Sequence, residues 1–170
     1  SLDSVHFRAG RLTLNPRYCW LDFQAFEHFI DRANETSGDG PGEAAAANYL
    51  NKAVSLYQGK LLQSEHHLSP AHRDRLHGRF MTAVSSLARH WEQKGEWQKA
   101  MDTYHAGLQA DACFEDCYRG LMFCNDRLGR TSEAMAVYER YRNMLANNQA
   151  MQPSPAIENL KDRLFPAEKS

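Results

Sequence analysis

The chain has 170 residues, 42% of them hydrophobic, and its 20 basic and 21 acidic side chains give a net charge of −1. A chain of this length can bury a hydrophobic core without disulfides. Its content of 24% charged and 11% aromatic residues is typical of a globular protein and excludes disorder of the whole chain. The near-neutral charge argues against a dedicated nucleic-acid coat protein. Four cysteines are too few for a disulfide scaffold, and no apolar run approaches the roughly 18 residues of a membrane span, so we expect a cytoplasmic protein.

The first 21 residues have a pattern unlike that of the rest. Residues 12–14 and 19–21 are short apolar runs on either side of Asn15-Pro16-Arg17-Tyr18, which predicts two strands around a proline-containing turn. Asp22 then offers a carboxylate that can cap a helix. The apolar residues after it recur with helical spacing, at Phe23, Phe26, Phe29 and Ile30. The chain is therefore predicted to open with a β-hairpin or extended segment and to become helical at Asp22.

Six more helical segments follow, separated by glycine and proline. Pro41 opens the second helix, and Ser69-Pro70 opens a long third helix that ends at Gly95. The next three are predicted at about 97–110, 113–128 and 131–145, and Ser154-Pro155 opens the last one. Seven helices in succession predict an all-α protein.

The second half of the sequence repeats with a period of 34 residues. A shift of 34 superimposes Leu87 on Leu121, Gly95 on Gly129, Ala100 on Ala134 and Tyr104 on Tyr138. This is the period of tetratricopeptide repeats, in which each unit is a pair of helices. The pattern predicts antiparallel hairpins 72–94/97–110 and 114–128/132–147, with glycines in left-handed turns and the alanines at close helix crossings. The predicted fold is a tetratricopeptide-like array of about seven helices.

Several stretches carry a family resemblance. ADACFEDCYRGLM at residues 110–122 is similar to a stretch written L-x-x-D-P-x-x-E-x-x-x-R-x-L-M, and LGR, EA, YERYR and PSP between 128 and 155 follow in matching order. YQGKLL at 57–62 and DFQAF at 22–26 are similar to upstream motifs. Over residues 12 to 165 the chain thus resembles the bacterial transcriptional activator domain, although Ala112 replaces the usual proline and Ala71 a frequent tryptophan.

The resemblance implies a regulatory module of an antibiotic-regulatory-type or large multidomain ATPase-type transcription activator. In such proteins the module often follows a winged-helix DNA-binding domain. Residues 1–21 are then expected to be a linker or the remnant hairpin of that domain, 22–165 the tetratricopeptide-like domain, and 166–170 a tail. Contact with DNA is expected only through the upstream domain. Three arginines make the opening basic, and this fits either phosphate contact or a solvated hairpin: Arg8, Arg11 and Arg17.

No enzyme motif occurs in the sequence. A nucleophile elbow, a phosphate-binding loop and a dinucleotide fingerprint are all missing, so no catalytic or cofactor-binding residue and no cofactor is predicted. The histidines, among them His66 and His67, lack zinc-site spacing and fit loops and helix caps better than a metal site. Cys113, Cys117 and Cys124 fall on one side of a predicted helix, where core packing is favoured over redox sensing or metal binding.

Function is therefore expected on the surface that stacked helical pairs create, whose concave face is lined by the first helix of each pair. The repeat template places two sets of side chains there, Thr82, Ser85, Arg89 and Glu92 from one repeat and Asp116, Arg119, Phe123 and Asp126 from the next. Phe123 is an aromatic residue among charged ones, and this makes it a candidate apolar anchor for a protein partner. The alternative is that these residues are solvated or contact the C-terminal helix.

These observations favour a non-catalytic regulatory and protein-interaction module. Its partners would be other domains of the same chain, a second copy of the protein or the transcription machinery, with no membrane involved. A second hypothesis is a ligand-sensing domain that binds a small molecule or a peptide in its concave groove. A stand-alone scaffold is the third.

Overall fold

The computed structural model describes residues 5–8, 11–14, 22–36, 41–57, 69–147 and 152–166. Those residues contain two strands and seven helices: β1 (Val5–Arg8), β2 (Arg11–Leu14), α1 (Asp22–Thr36), α2 (Pro41–Leu56), α3 (Pro70–Gln93), α4 (Trp97–Ala110), α5 (Glu115–Arg127), α6 (Thr131–Asn147) and α7 (Pro155–Leu164). The predicted array of helical hairpins is confirmed. Contacts divide the chain into two compact units, Ser1–Leu68 and Ser69–Ser170.

The first unit contains a strand pair that joins residues 11–14 to an earlier segment, and the second strand predicted at 19–21 lies outside the described residues. β1 and β2 are antiparallel, with Val5 opposite Leu14 and Arg8 opposite Arg11. Residues 12–14 do form part of a strand, but the partner found for it is β1, and residues 15–21 lie outside the described part of the chain.

The first unit also contains the helical hairpin of α1 and α2. Phe26 and Ile30 of α1 are buried with Ala53 and Tyr57, which lie in and directly after α2. The rings of Phe26 and Tyr57 are 5.3 Å apart. The apolar face predicted for the first helix is therefore the face that packs in the core of this unit.

The second unit consists of two hairpins and a closing helix. α3 packs against α4, α5 packs against α6, α4 joins the two hairpins by packing on α5, and α7 contacts α5 and α6. The turns contain Gly95 and Gly129 at φ +71° and +70°, the left-handed region that glycine enters without a Cβ clash. Ala100 and Ala134 are fully buried. The hairpins and both small-residue positions predicted from the repeat are confirmed.

Serine side chains cap the first and the last helix of this unit at their N-termini. The side chain of Ser69 accepts a hydrogen bond from the His72 N–H at 3.3 Å, and that of Ser154 accepts one from the Ala156 N–H at 3.2 Å. Each serine precedes a proline in the first helical turn, where the missing N–H of proline costs no helical hydrogen bond. The predicted starts of the third and seventh helices are thus confirmed.

The start of α5 corrects one prediction about the cysteines. The helix begins at Glu115, because the side chain of Asp111 accepts the Cys113 N–H at 2.8 Å and holds this stretch in a turn. Cys113 therefore precedes the helix and is exposed, whereas Cys117 and Cys124 are fully buried. Two of the three cysteines pack in the core as predicted.

The repeated tyrosines pack where successive elements meet. Tyr104 of α4 is buried against α5, where Gly120 leaves room for its ring: a Cβ at position 120 would lie 2.1 Å from two ring carbons. Tyr138 of α6 is also buried, and its hydroxyl reaches Glu158 of α7. Each of these tyrosines thus lies where one helical element packs on the next.

Candidate functional site

A groove of about 480 Å³ lies on the second unit. Its walls are formed by α3, α5 and α7, and the side chain of Tyr104 from α4 also lines it. α5 contacts both α3 and α7, so it lies between them. The lining residues are Ser85, Arg89, Glu92, Tyr104, Asp116, Arg119, Gly120, Phe123, Ala156, Asn159, Leu160 and Arg163.

Most residues that the repeat template assigned to the concave face line this groove. They are Ser85, Arg89, Glu92, Asp116, Arg119 and Phe123. Thr82 and Asp126 do not line it. Thr82 is exposed on α3, and its hydroxyl donates to the carbonyl of Gly78 at 3.0 Å. Asp126 is in the last turn of α5, one residue before the helix ends.

The sequence analysis named contact with the C-terminal helix only as an alternative, and it assigned no residue of α7 to the groove. Ala156, Asn159, Leu160 and Arg163 recur every three or four residues, which is the spacing of one helix face. That periodicity is visible in the sequence, but the 34-residue template has no place for a helix beyond the second repeat. The structure thus brings six of the eight predicted groove residues and the C-terminal helix together in one groove.

The charges of the groove are unequally engaged. Arg119 pairs with Asp116 of the same helix, with Nη1 and Oδ1 3.0 Å apart, and both side chains are half-exposed. Arg89 and Arg163 are exposed, and neither forms an ion pair within 4 Å in the described part of the chain. Two guanidinium groups on opposite sides of α5 are therefore left for solvent or for a partner.

Glu92 is held by a hydrogen bond from the repeat tyrosine. The Tyr104 hydroxyl donates to Glu92 Oε1 at 2.7 Å, and the Cys124 thiol lies 3.8 Å from the same oxygen. Burial raises the pKa of Tyr104 far above its usual range, so its hydroxyl remains a donor. Burial also raises the pKa of Cys124 to about 12. Glu92 is the acidic residue of this cluster, and the hydrogen bond from Tyr104 fixes the position of its carboxylate.

Phe123 is positioned by neighbours of its own. It is half-buried, and its ring meets Trp97 edge-to-face with the centroids 5.9 Å apart. The Arg127 guanidinium lies 4.9 Å from the ring centroid, within cation–π distance. The ring is thus held at the groove edge with part of its surface exposed, which suits an apolar anchor.

Two glutamates, Glu115 of α5 and Glu158 of α7, attach α7 to the second hairpin. Glu115 accepts hydrogen bonds from the Tyr141 hydroxyl at 2.9 Å, from the Ser154 N–H at 3.4 Å and from the Ser154 hydroxyl. The Tyr138 hydroxyl donates to Glu158 Oε1 at 2.5 Å. Because Ser154 also caps α7, the start of this helix and its first turns are both fixed, and the third wall of the groove has a defined place.

The profile of the bacterial transcriptional activator domain family matches residues 21–165, nearly the whole chain. The chain belongs to this family. The match confirms the resemblance seen in the sequence, and it makes the chain a regulatory domain of a transcription activator rather than a member of a known catalytic family. A comparison with curated proteins returned no match. Across the described residues, no helix is long and apolar enough to cross a membrane.

The described part of this bacterial transcriptional activator domain contains no cluster of three histidine, cysteine, aspartate or glutamate residues that could hold a metal ion. His66 and His67 lie outside the described residues. Burial raises the pKa of the Cys117 thiol to about 12, as it does for Cys124, so neither is a thiolate at neutral pH. The groove presents charged groups and the edge of an aromatic ring.

Proposed function

We propose that this bacterial transcriptional activator domain regulates transcription by binding a protein segment in the groove between α3, α5 and α7. The observation that carries the proposal is the convergence of arginines from three helices with a half-exposed phenylalanine in one groove. Arginine and aromatic residues contribute most of the binding energy at protein interfaces. In this proposal residues 22–165 form the regulatory module, DNA is contacted by another domain, and the protein acts in the cytoplasm.

The composition of the groove favours a protein segment over a small molecule. Small-molecule sites are mostly apolar, with only a few polar groups that orient the ligand. Five of the twelve groove residues are charged: Arg89, Glu92, Asp116, Arg119 and Arg163. A surface with alternating charges and one aromatic edge is instead typical of a protein interface, where charge complementarity gives specificity.

A reporter assay tests the proposal. The variant Arg119→Ala with Phe123→Ala removes one groove cation and the apolar anchor, and we expect it to lower transcription of a gene that the complete regulator activates. Arg142→Ala with Leu128→Ala is the matched control, since Arg142 is also in an i,i+3 ion pair and Leu128 is an exposed apolar residue outside the groove.

Folding of both variants is checked by thermal melting. Loss of the edge-to-face contact with Trp97 is expected to cost about 0.5–1.5 kcal/mol, which leaves the domain folded. Normal activation by a folded groove variant would contradict the proposal. It would move attention to another cleft of this unit, of about 420 Å³, which is lined mainly by α4 and α6.

A small-molecule effector is the second candidate function, favoured by the groove volume. About 480 Å³ is within the range of roughly 300–1,000 Å³ that drug-sized ligands occupy. The two functions separate in one measurement. A small effector would raise the melting temperature of the isolated chain in a metabolite screen, and the groove variant would abolish that rise.

A further inference from the structure

We propose that the segment bound in this groove is acidic, and that its carboxylates are held by Arg89 and Arg163 on either side of an apolar residue that packs on the groove floor. This inference deepens the proposed function and rests on it. It names the chemistry of the partner: aspartate and glutamate side chains around a leucine or an aromatic residue.

The first step of the argument is the charge that the groove leaves uncompensated. Its lining contains three arginines and two carboxylates. Asp116 is already paired with Arg119, and Glu92 accepts the Tyr104 hydroxyl and lies close to the Cys124 thiol. Both acidic groups of the groove are thus engaged within the domain.

The second step concerns Arg89, which has an intrahelical partner at the right spacing and does not use it. Glu92 follows Arg89 by three residues on α3, a spacing at which ion pairs form on helix surfaces. Its carboxylate turns to Tyr104 of α4 instead, at 2.7 Å. The Arg89 guanidinium remains exposed, with all its donors available to an incoming group.

The third step is geometric. Arg89 is on α3 and Arg163 is on α7, while α5 lies between these helices. A guanidinium group binds carboxylates through two parallel hydrogen bonds, so each arginine suits one acidic side chain. A segment lying across α5 would meet one arginine on each side.

The floor between the arginines suits an apolar side chain. The ring of Tyr104 packs against Gly120 there, and Leu160 and the edge of Phe123 add apolar surface. The aliphatic stems of the arginines add further apolar surface beside these groups. An acidic segment with a central apolar residue therefore matches both the charge and the shape of the groove.

Peptide binding to the 170-residue chain tests this inference. The probe is fluorescein-labelled Glu-Asp-Leu-Phe-Glu-Asp with a blocked C-terminus, followed by fluorescence anisotropy. Its comparison peptide is the isosteric amide Gln-Asn-Leu-Phe-Gln-Asn, also blocked. We expect the acidic peptide to bind at least about tenfold more tightly, and its affinity to fall as salt is raised through a few hundred millimolar.

A third peptide separates two sources of carboxylate. It carries the same label and the amide sequence with a free C-terminus, so the only carboxylate of its peptide part is the terminal one. Tighter binding of the acidic peptide than of this one supports recognition of side chains. Equal binding of the two, or equal binding of the acidic and amide peptides, overturns the inference, as does failure of the acidic peptide to bind at about 1 mM.

Matched variants locate the binding. Arg89→Gln with Arg163→Gln should weaken the acidic peptide about tenfold or more and leave the amide peptide unchanged. Arg73→Gln with Lys94→Gln removes the same charge from exposed positions near the two ends of α3, outside the groove, and should leave binding unchanged. An equal loss in both variants would show non-specific attraction and would refute the assignment to the groove.

The two proposals fail in different ways. If the Arg119 and Phe123 variant loses activation while the chain does not distinguish acidic from amide peptides, the groove still binds a partner and only the acidic character is wrong. If the acidic peptide binds through Arg89 and Arg163 but groove variants activate normally, the peptide specificity stands and the role of the groove in activation is wrong.

Discussion

The close approach of Tyr104 to Gly120 allows a stability experiment in which two similar substitutions have opposite effects. An alanine Cβ at position 120 would lie 2.1 Å from two ring carbons of Tyr104 and 2.6 Å from its hydroxyl oxygen. The ring is buried between two hairpins, so it has little room to move. At Gly78, on the exposed side of α3, an added Cβ meets nothing within 4 Å.

The magnitudes follow from three known effects. Alanine in place of an interior helical glycine is worth about 1 kcal/mol of stability, and this is all that Gly78→Ala changes. At position 120 the same gain is opposed by overpacking, typically about 1–3 kcal/mol. Displacement of the Tyr104 ring also breaks its hydrogen bond to Glu92, for a further loss of about 1 kcal/mol. Gly120→Ala should therefore destabilise by about 2 kcal/mol and Gly78→Ala should stabilise.

Urea unfolding, with free energies obtained by linear extrapolation, measures both effects. A third variant identifies the cause. In a Tyr104→Leu background the ring is gone, so Gly120→Ala should lose most of its cost, and the two changes should be strongly non-additive. If Gly120→Ala is as stable as Gly78→Ala, or if its cost is the same with leucine at position 104, the packing argument is refuted.

Two further predictions concern cysteine reactivity and acid stability. Burial raises the pKa of Cys117 and Cys124 to about 12, so iodoacetamide at about pH 8 should label exposed Cys113 in the native protein but the other two only after denaturation. Peptide mass mapping measures this, and native labelling of Cys124 at the rate of Cys113 would contradict it. Hydrogen bonds from Lys161 and Tyr138 lower the pKa of Glu158, so its stabilisation is complete above the unfolded pKa of about 4.3 and is lost as the pH falls through the lower folded pKa. Glu158→Gln should therefore be less stable than wild type at neutral pH, by under about 1 kcal/mol, and the two should converge in acid. A constant difference across urea melts from neutral to acid pH would rule this out.

The sequence was sufficient for those features that depend on local pattern. The left-handed turns at positions 95 and 129 need glycine, and the close helix crossings at positions 100 and 134 need alanine. A fixed 34-residue spacing therefore predicts all four positions. The same repeat register also predicted that Arg89 and Phe123 line the groove, because residues on one helix face keep their mutual positions. The helix caps could be predicted in the same way, because each depends on a serine and the proline directly after it.

Features that depend on contacts between distant residues could not be predicted in this way. α7 is attached through Glu115 and Ser154, which are 39 residues apart in the chain, so no short-range pattern indicates that this helix lines the groove. The strand pattern at residues 12–14 likewise carries no information about which partner pairs with it. The template also extended to Asp126, although the groove lining ends at Phe123 on α5.

Tyr104 connects the stability of the repeat to the charge of the groove. Its ring fills the space left by Gly120, and its buried hydroxyl requires an acceptor, because an unpaired hydroxyl in the core costs about 1–3 kcal/mol. Glu92 is that acceptor, at 2.7 Å. A carboxylate engaged in this way is less available to Arg89 one turn earlier, so satisfying the core leaves a cation exposed on the rim. In our proposal the exposed state of Arg89 is therefore a consequence of how the two hairpins pack, and an acidic partner completes the pairing that the fold leaves open.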